Sequence, residues 1–82
     1  MKVTVEERVI GIVSKRLGVD RGQITLEASF VDDLGASSTD IVDMFLTFEE
    51  VFEIYIDDYK ADQILTVGGA IDYIQGKLAA SA

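Results

Sequence analysis

Asp33-Leu34-Gly35-Ala36-Ser37-Ser38-Thr39-Asp40 runs straight into Ile41-Val42-Asp43-Met44-Phe45-Leu46-Thr47-Phe48-Glu49-Glu50-Val51-Phe52-Glu53, and how this stretch is read decides the fold. Gly35 permits a tight turn, Ser37, Ser38 and Thr39 are all good helix N-caps, and Asp40 follows Ser37 at the spacing of a capping box. Beyond it Ile41, Val42, Phe45, Phe48 and Phe52 recur at helical steps, which predicts a helix from about Thr39 to Phe52 with one packed face. Asp40, Asp43, Glu49, Glu50 and Glu53 occupy much of the remainder as an acidic ledge, with Met44, Leu46 and Val51 on its flanks. The aromatic stripe reads first as core, because so small a domain has few other bulky residues to fill its interior.

Hydroxyls before a helix commonly do no more than cap it. Yet the first-turn N–H groups have no partner inside the helix, and the macrodipole adds partial positive charge there. A serine at that point can therefore carry an anionic group at little electrostatic cost. Ser38 is the candidate for that role.

The rest of the composition narrows what this serine can do. The chain has no histidine and no cysteine, which excludes a Ser-His-Asp arrangement, thiol catalysis, disulfides and thiolate metal sites. A serine hydroxyl without an adjacent base is a poor nucleophile, and Lys60, the nearest lysine, lies in an acidic segment that keeps it charged. Ser38 thus reads as a residue acted upon, and the chain as a non-enzyme.

Net charge is −8, and residues 32–62 hold ten acids against the single base Lys60, so the middle of the chain carries the imbalance. Such a field repels nucleic acid and anionic lipid and attracts basic protein surfaces. Met1-Lys2-Val3-Thr4-Val5-Glu6-Glu7 turns acidic before an apolar core forms, unlike a signal peptide, and no apolar run is long enough to cross a membrane. The expectation is a soluble, cytoplasmic, monomeric domain over residues 1–82, with its core at about 4–78.

Elsewhere, Thr4 and Glu7 form a capping box ahead of Val5, Val9, Ile12, Val13 and Leu17, which predicts a first helix from about Val5 to Leu17 closed by Gly18. From Val19 to Ser37 no period persists. Its apolar residues Val19, Ile24, Leu26, Phe30, Val31 and Leu34 predict a long loop pinned to the core, with one helical turn near Asp20 to Ile24. Glu53 to Asp57 alternates like a strand, but no second strand of matching character exists to pair with it. Asp57 or Asp58 caps a short third helix through Asp62 or Gln63, and Thr66 caps a last one carrying Val67, Ala70, Ile71, Ile74 and Leu78, with Gly68 and Gly69 kept for close backbone packing. The tail Ala79 to Ala82 should fray. EF-hand starts at Asp33, Asp57 and Asp58 all lack the required glycine and glutamate, so no dedicated metal site is expected.

This all-α, four-helix layout resembles the acyl carrier protein family. Glu6-Glu7-Arg8-Val9, Leu17-Gly18-Val19, Ala28-Ser29-Phe30-Val31-Asp32-Asp33-Leu34-Gly35-Ala36, Phe48-Glu49-Glu50-Val51-Phe52 and Ala70-Ile71-Asp72-Tyr73-Ile74 are similar to family segments and follow the family's order. The resemblance implies that the serine of Asp-Leu-Gly-x-x-Ser, here Ser38, receives 4′-phosphopantetheine from coenzyme A. The donor enzyme would be a separate phosphopantetheinyl transferase of the holo-carrier-synthase type. The prosthetic thiol would then carry acyl groups as thioesters between acyl-transferring or condensing enzymes of fatty-acid-like or dedicated lipid or secondary biosynthesis. By position, Asp40, Asp43, Glu49, Glu50 and Glu53 would dock basic patches on those enzymes, and Phe30, Met44, Phe45, Phe48, Ala61, Ile64 and Ala70 would line an acyl pocket.

The sequence departs from the family's usual pattern at Ser37 and Thr39, where an acid and a leucine are common, and at Asp57, where a proline is. Phe45 and Phe48 are also bulky. These departures point to a specialised member serving a dedicated pathway. The alternatives are an unmodified module that keeps only the fold, and a carrier of polyketide or aminoacyl intermediates.

Overall fold

The computed structural model describes residues 4–81; the reading of Met1-Lys2-Val3, and of Ala82 as part of a frayed tail, falls outside the described residues. Four helices follow one another: α1 (Val5–Leu17), α2 (Ser38–Phe52), α3 (Asp58–Gln63) and α4 (Val67–Ser81), with one 3-10 turn, Arg21–Gln23, in the first connection. The helix ends follow local chemistry. The Thr4 hydroxyl accepts the Glu7 N–H at 3.1 Å, and α1 closes on Gly18 in the left-handed conformation at φ 66°. Asp57 caps α3 through the Tyr59 N–H at 2.9 Å, and Thr66 caps α4 through the Gly69 N–H at 3.1 Å. Ala79, Ala80 and Ser81 continue α4. Alanine is the best helix former, and nothing after Gly76 interrupts the pattern.

α1 packs against both α2 and α4, and their facing side chains make one wholly apolar core. Val9 and Val13 meet Met44, Phe45, Phe48 and Phe52 from α2 and Val67, Ala70, Ile71 and Ile74 from α4. The buried stripe of α2 is rotated from the one expected. Met44, placed on a flank by periodicity, is 0% exposed, whereas Val42, placed in the stripe, is 56% exposed. Met44, Phe45, Phe48 and Phe52 share one arc of the helix, and Val42 stands far round from its centre, so packing that arc against α1 turns Val42 out. Leu46 and Val51 are exposed, as flank positions should be.

The long connection is fastened to the start of α4. The Phe30 N–H donates to the Leu65 carbonyl at 3.1 Å, Val67 to Ala28 at 3.1 Å and Gly68 to Leu26 at 2.8 Å, with an antiparallel bridge between Ser29 and Thr66. Ile24 and Phe30 anchor it in the core and Val19 and Leu34 are half-buried, but Leu26 and Val31 turn outward and Ala28 and Ala36 are buried instead. Backbone partners at Leu65, Val67 and Gly68, distant in sequence, and the local bond from Ala36 to Phe30 set this inside–outside pattern. Gly68 has the close approach expected of it: a β-carbon there would lie 2.8 Å from the Leu26 carbonyl oxygen.

Between α2 and α3 the segment from Glu53 to Ile56 is irregular, as the missing partner strand requires. Glu53 ends α2 at φ 54°, and the Glu49 carboxylate accepts the Ile56 N–H at 2.7 Å. α3 itself contributes no buried residue and rests on the domain through half-buried Ala61.

Candidate functional site

The turn that delivers Ser38 is built by Ser29 and Asp33. The Asp33 carboxylate accepts the Ser29 N–H at 2.7 Å, the Ser29 hydroxyl accepts the Asp32 N–H at 3.1 Å, and the Ser29 carbonyl accepts the N–H groups of Asp33 and Leu34, both at 3.0 Å. Gly35, at φ 71°, ends this turn in a conformation that disfavours a side chain. Ala36 then plugs into the core, with its N–H on the Phe30 carbonyl at 2.8 Å. The chain is thus fixed on both sides of the glycine.

Ser37 follows as the N-cap with a complete capping box. Its hydroxyl accepts the Asp40 N–H at 3.1 Å, and the Asp40 carboxylate accepts the Ser37 N–H at 3.0 Å. α2 therefore starts at Ser38, one residue earlier than the periodicity indicated, and Ser38 is its first helical residue. Ser37 has a structural task, while Ser38 is exposed. The N–H groups of Ser38 and Thr39 have no partner among the described residues, so the helix mouth beside the Ser38 hydroxyl offers unused donors. An attached phosphodiester fits that environment, because it needs an exposed hydroxyl and gains from nearby N–H dipoles.

The five acids of the ledge divide into two groups. Asp40 and Glu49 are half-buried, and each binds a backbone N–H, of Ser37 and Ile56 respectively. Asp43, Glu50 and Glu53 are exposed, with no side-chain partner among the described residues.

The expected pocket residues do not all meet at one opening. A cavity of about 420 Å³ between α2 and α3 is lined by Ile41, Val42, Phe45, Leu46, Glu49, Ile56, Asp58, Ala61 and Asp62. A second, of about 250 Å³, involves Phe30, Ile41, Ala61, Asp62, Ile64 and Leu65 among others. Phe45 and Ala61 reach the first, and Phe30, Ala61 and Ile64 the second. Met44, Phe48 and Ala70 line neither and belong to the packed core. Phe45 sits edge-on to Phe30, ring centres 6.2 Å apart, and 5.7 Å from Phe48. Ile41, which lines both cavities, was absent from the expected set; its position one helical turn beyond Ser38 was the available signal. Among the described residues no group of three acidic, histidine or cysteine side chains could hold a metal, and no helix is long and apolar enough to cross a membrane.

Residues 7–74 match the family model described as the phosphopantetheine attachment site. The structure is also similar to that of an acyl carrier protein from Enterococcus faecalis, with 34% identity, a TM-score of 0.78, and coverage of 89% of this chain and 92% of that one. The chain belongs to the acyl carrier protein family of phosphopantetheine-binding proteins. Members of this family attach a 4′-phosphopantetheine prosthetic group and are carriers rather than catalysts. As a family they interact with phosphopantetheinyl transferases and biosynthetic enzymes.

Proposed function

We propose that Ser38 bears the 4′-phosphopantetheine and that the chain works as a monomeric, cytoplasmic shuttle of acyl thioesters. A separate phosphopantetheinyl transferase would install the group from coenzyme A. The observation that carries this reading is the exposed Ser38 hydroxyl at the first helical position, beside the unpartnered N–H groups of Ser38 and Thr39. When bound, the group supplies the thiol that this cysteine-free chain lacks. The chain's own residues hold the attachment point still: Asp33 and Gly35 shape the turn, and Ser37 and Asp40 lock the first turn of α2.

Partner docking falls to Asp43, Glu50 and Glu53, whose carboxylates are exposed. Asp40 and Glu49 add charge from fixed positions, each with one carboxylate oxygen already engaged. Cargo shelters in the cavity between α2 and α3, entered past Ile41, with Phe45 and Ala61 on its walls and Phe30 and Ile64 at the adjoining one. Met44, Phe48 and Ala70 support those walls from behind. The departures at Ser37, Thr39 and Asp57 favour a dedicated lipid or secondary pathway over housekeeping fatty acid synthesis. Asp57 caps α3 with its side chain where common members use a proline ring.

The test is intact mass after incubation with coenzyme A and a broad-specificity phosphopantetheinyl transferase. The wild type and Ser37→Ala should each gain one phosphopantetheine, and Ser38→Ala should gain none. A gain that survives in Ser38→Ala and vanishes in Ser37→Ala moves the site by one residue. No gain with any transferase leaves an unmodified interaction module.

A further inference from the structure

Large apolar side chains left in solvent ask for an explanation when they gather in one charged segment, and Tyr55 and Tyr59 do so at 69% and 67% exposed. They lie in the stretch that leaves α2 and begins α3, among Glu53, Asp57, Asp58 and Asp62. The chain's third tyrosine behaves differently: Tyr73 is half-buried on α4, and the Lys77 ammonium stands 5.7 Å from its ring centre. Among the described residues no cation stands over Tyr55 or Tyr59, and neither ring belongs to the set packed on the core.

The same segment carries a second local conflict. Asp58 and Asp62 face one another at the i, i+4 spacing on a helix of six residues, an arrangement that repels. Lys60 is the only base between residues 32 and 62. Two exposed rings, Tyr55 just before the short, lightly held α3 and Tyr59 in its first turn, beside the Asp58 and Asp62 carboxylates that line the α2–α3 cavity, are complementary to one chemical group above others. A guanidinium stacks flat on a tyrosine ring and binds a carboxylate through paired N–H groups, whereas an ammonium acts as a point charge.

We propose that Tyr55 and Tyr59, with Asp58 and Asp62, form a docking edge selective for arginine over lysine on basic partner proteins. This rests on the reading that the acidic middle of the chain docks partners, and it adds which basic side chain is recognised and by what. The ledge on α2 attracts any basic surface; the α3 edge discriminates among them.

Two amphipathic helical peptides, identical except that one has arginine wherever the other has lysine, are titrated into the 15N-labelled protein. The arginine peptide should bind about fivefold tighter or better, with amide shifts centred on residues 55–62. Tyr55→Leu/Tyr59→Leu should bind both peptides equally, while Tyr55→Phe/Tyr59→Phe keeps the preference because it keeps the ring faces. The exposed positions make these variants compatible with the fold, which the wild-type amide dispersion verifies. Equal binding of the two peptides to the wild type overturns the proposal, as does an arginine preference that persists in the leucine variant or is lost in the phenylalanine one. Apo protein is used throughout, so a failed modification at Ser38 and a failed arginine preference are separate results.

Discussion

Glu53 occupies a position that helices ending in a left-handed residue usually give to glycine. Its φ of 54° ends α2 in the left-handed region, where a β-carbon crowds the following carbonyl. Glu53→Gly should therefore stabilise the protein by about 1 kcal/mol, read as a higher denaturant midpoint at unchanged slope. An exposed acid kept at that cost fits its place among the carboxylates proposed to dock partners. Two glycines should respond in opposite directions. Gly11→Ala, in the middle of α1, places a methyl 2.9 Å from the tip of the flexible Arg21 side chain, which can move aside. Helix propensity then dominates, and a gain of about 0.5–1 kcal/mol is expected. Gly68→Ala meets the Leu26 backbone carbonyl, which cannot move without breaking the Gly68-to-Leu26 hydrogen bond, and should cost about 1–3 kcal/mol. Thermal melts of the two variants check the sign as well as the size.

At the level of the helices, the capping chemistry of Ser37 and Asp40 separates stability from function. Ser37→Ala removes the acceptor for the Asp40 N–H and should lower stability by about 1 kcal/mol, measured by urea unfolding, while modification at Ser38 persists. Caps were legible in the sequence because they are local: Thr4, Gly18, Ser37, Asp57 and Thr66 each act on residues within one turn. The orientation of Val42 and Met44 was not, since periodicity defines a stripe only to within a residue and packing against α1 decides its centre. The inward turn of Ala28 and Ala36 was hidden for a related reason: it depends on backbone partners far along the chain or across a glycine turn. Of the candidate site, the placement of Ser38 at the helix mouth and the exposure of Asp43, Glu50 and Glu53 were legible from their neighbours. The engagement of Glu49 by Ile56 was not, because it needs the left-handed turn at Glu53 between them.

For the molecule as a whole, charge works against compactness. Ten acids and one base between residues 32 and 62 surround an interior with no buried polar side chain among the described residues. Raising salt from about 0.01 M to about 0.15 M should screen this repulsion and raise the melting temperature, and a flat or falling response would show that the carboxylates do not strain the fold. The clasp between the long connection and the start of α4 bears on how such a chain becomes folded. The Leu26 and Ala28 carbonyls and the Phe30 N–H find partners at Gly68, Val67 and Leu65, so the ring that contains α2 and α3 closes at its neck. During synthesis, α2 and the turn before it can form by their own local bonds, but the clasp from Leu26, Ala28 and Phe30 waits until residues 65–68 have been made. The setting of Ser38 thus depends in part on a segment that is far from it in sequence and made after it.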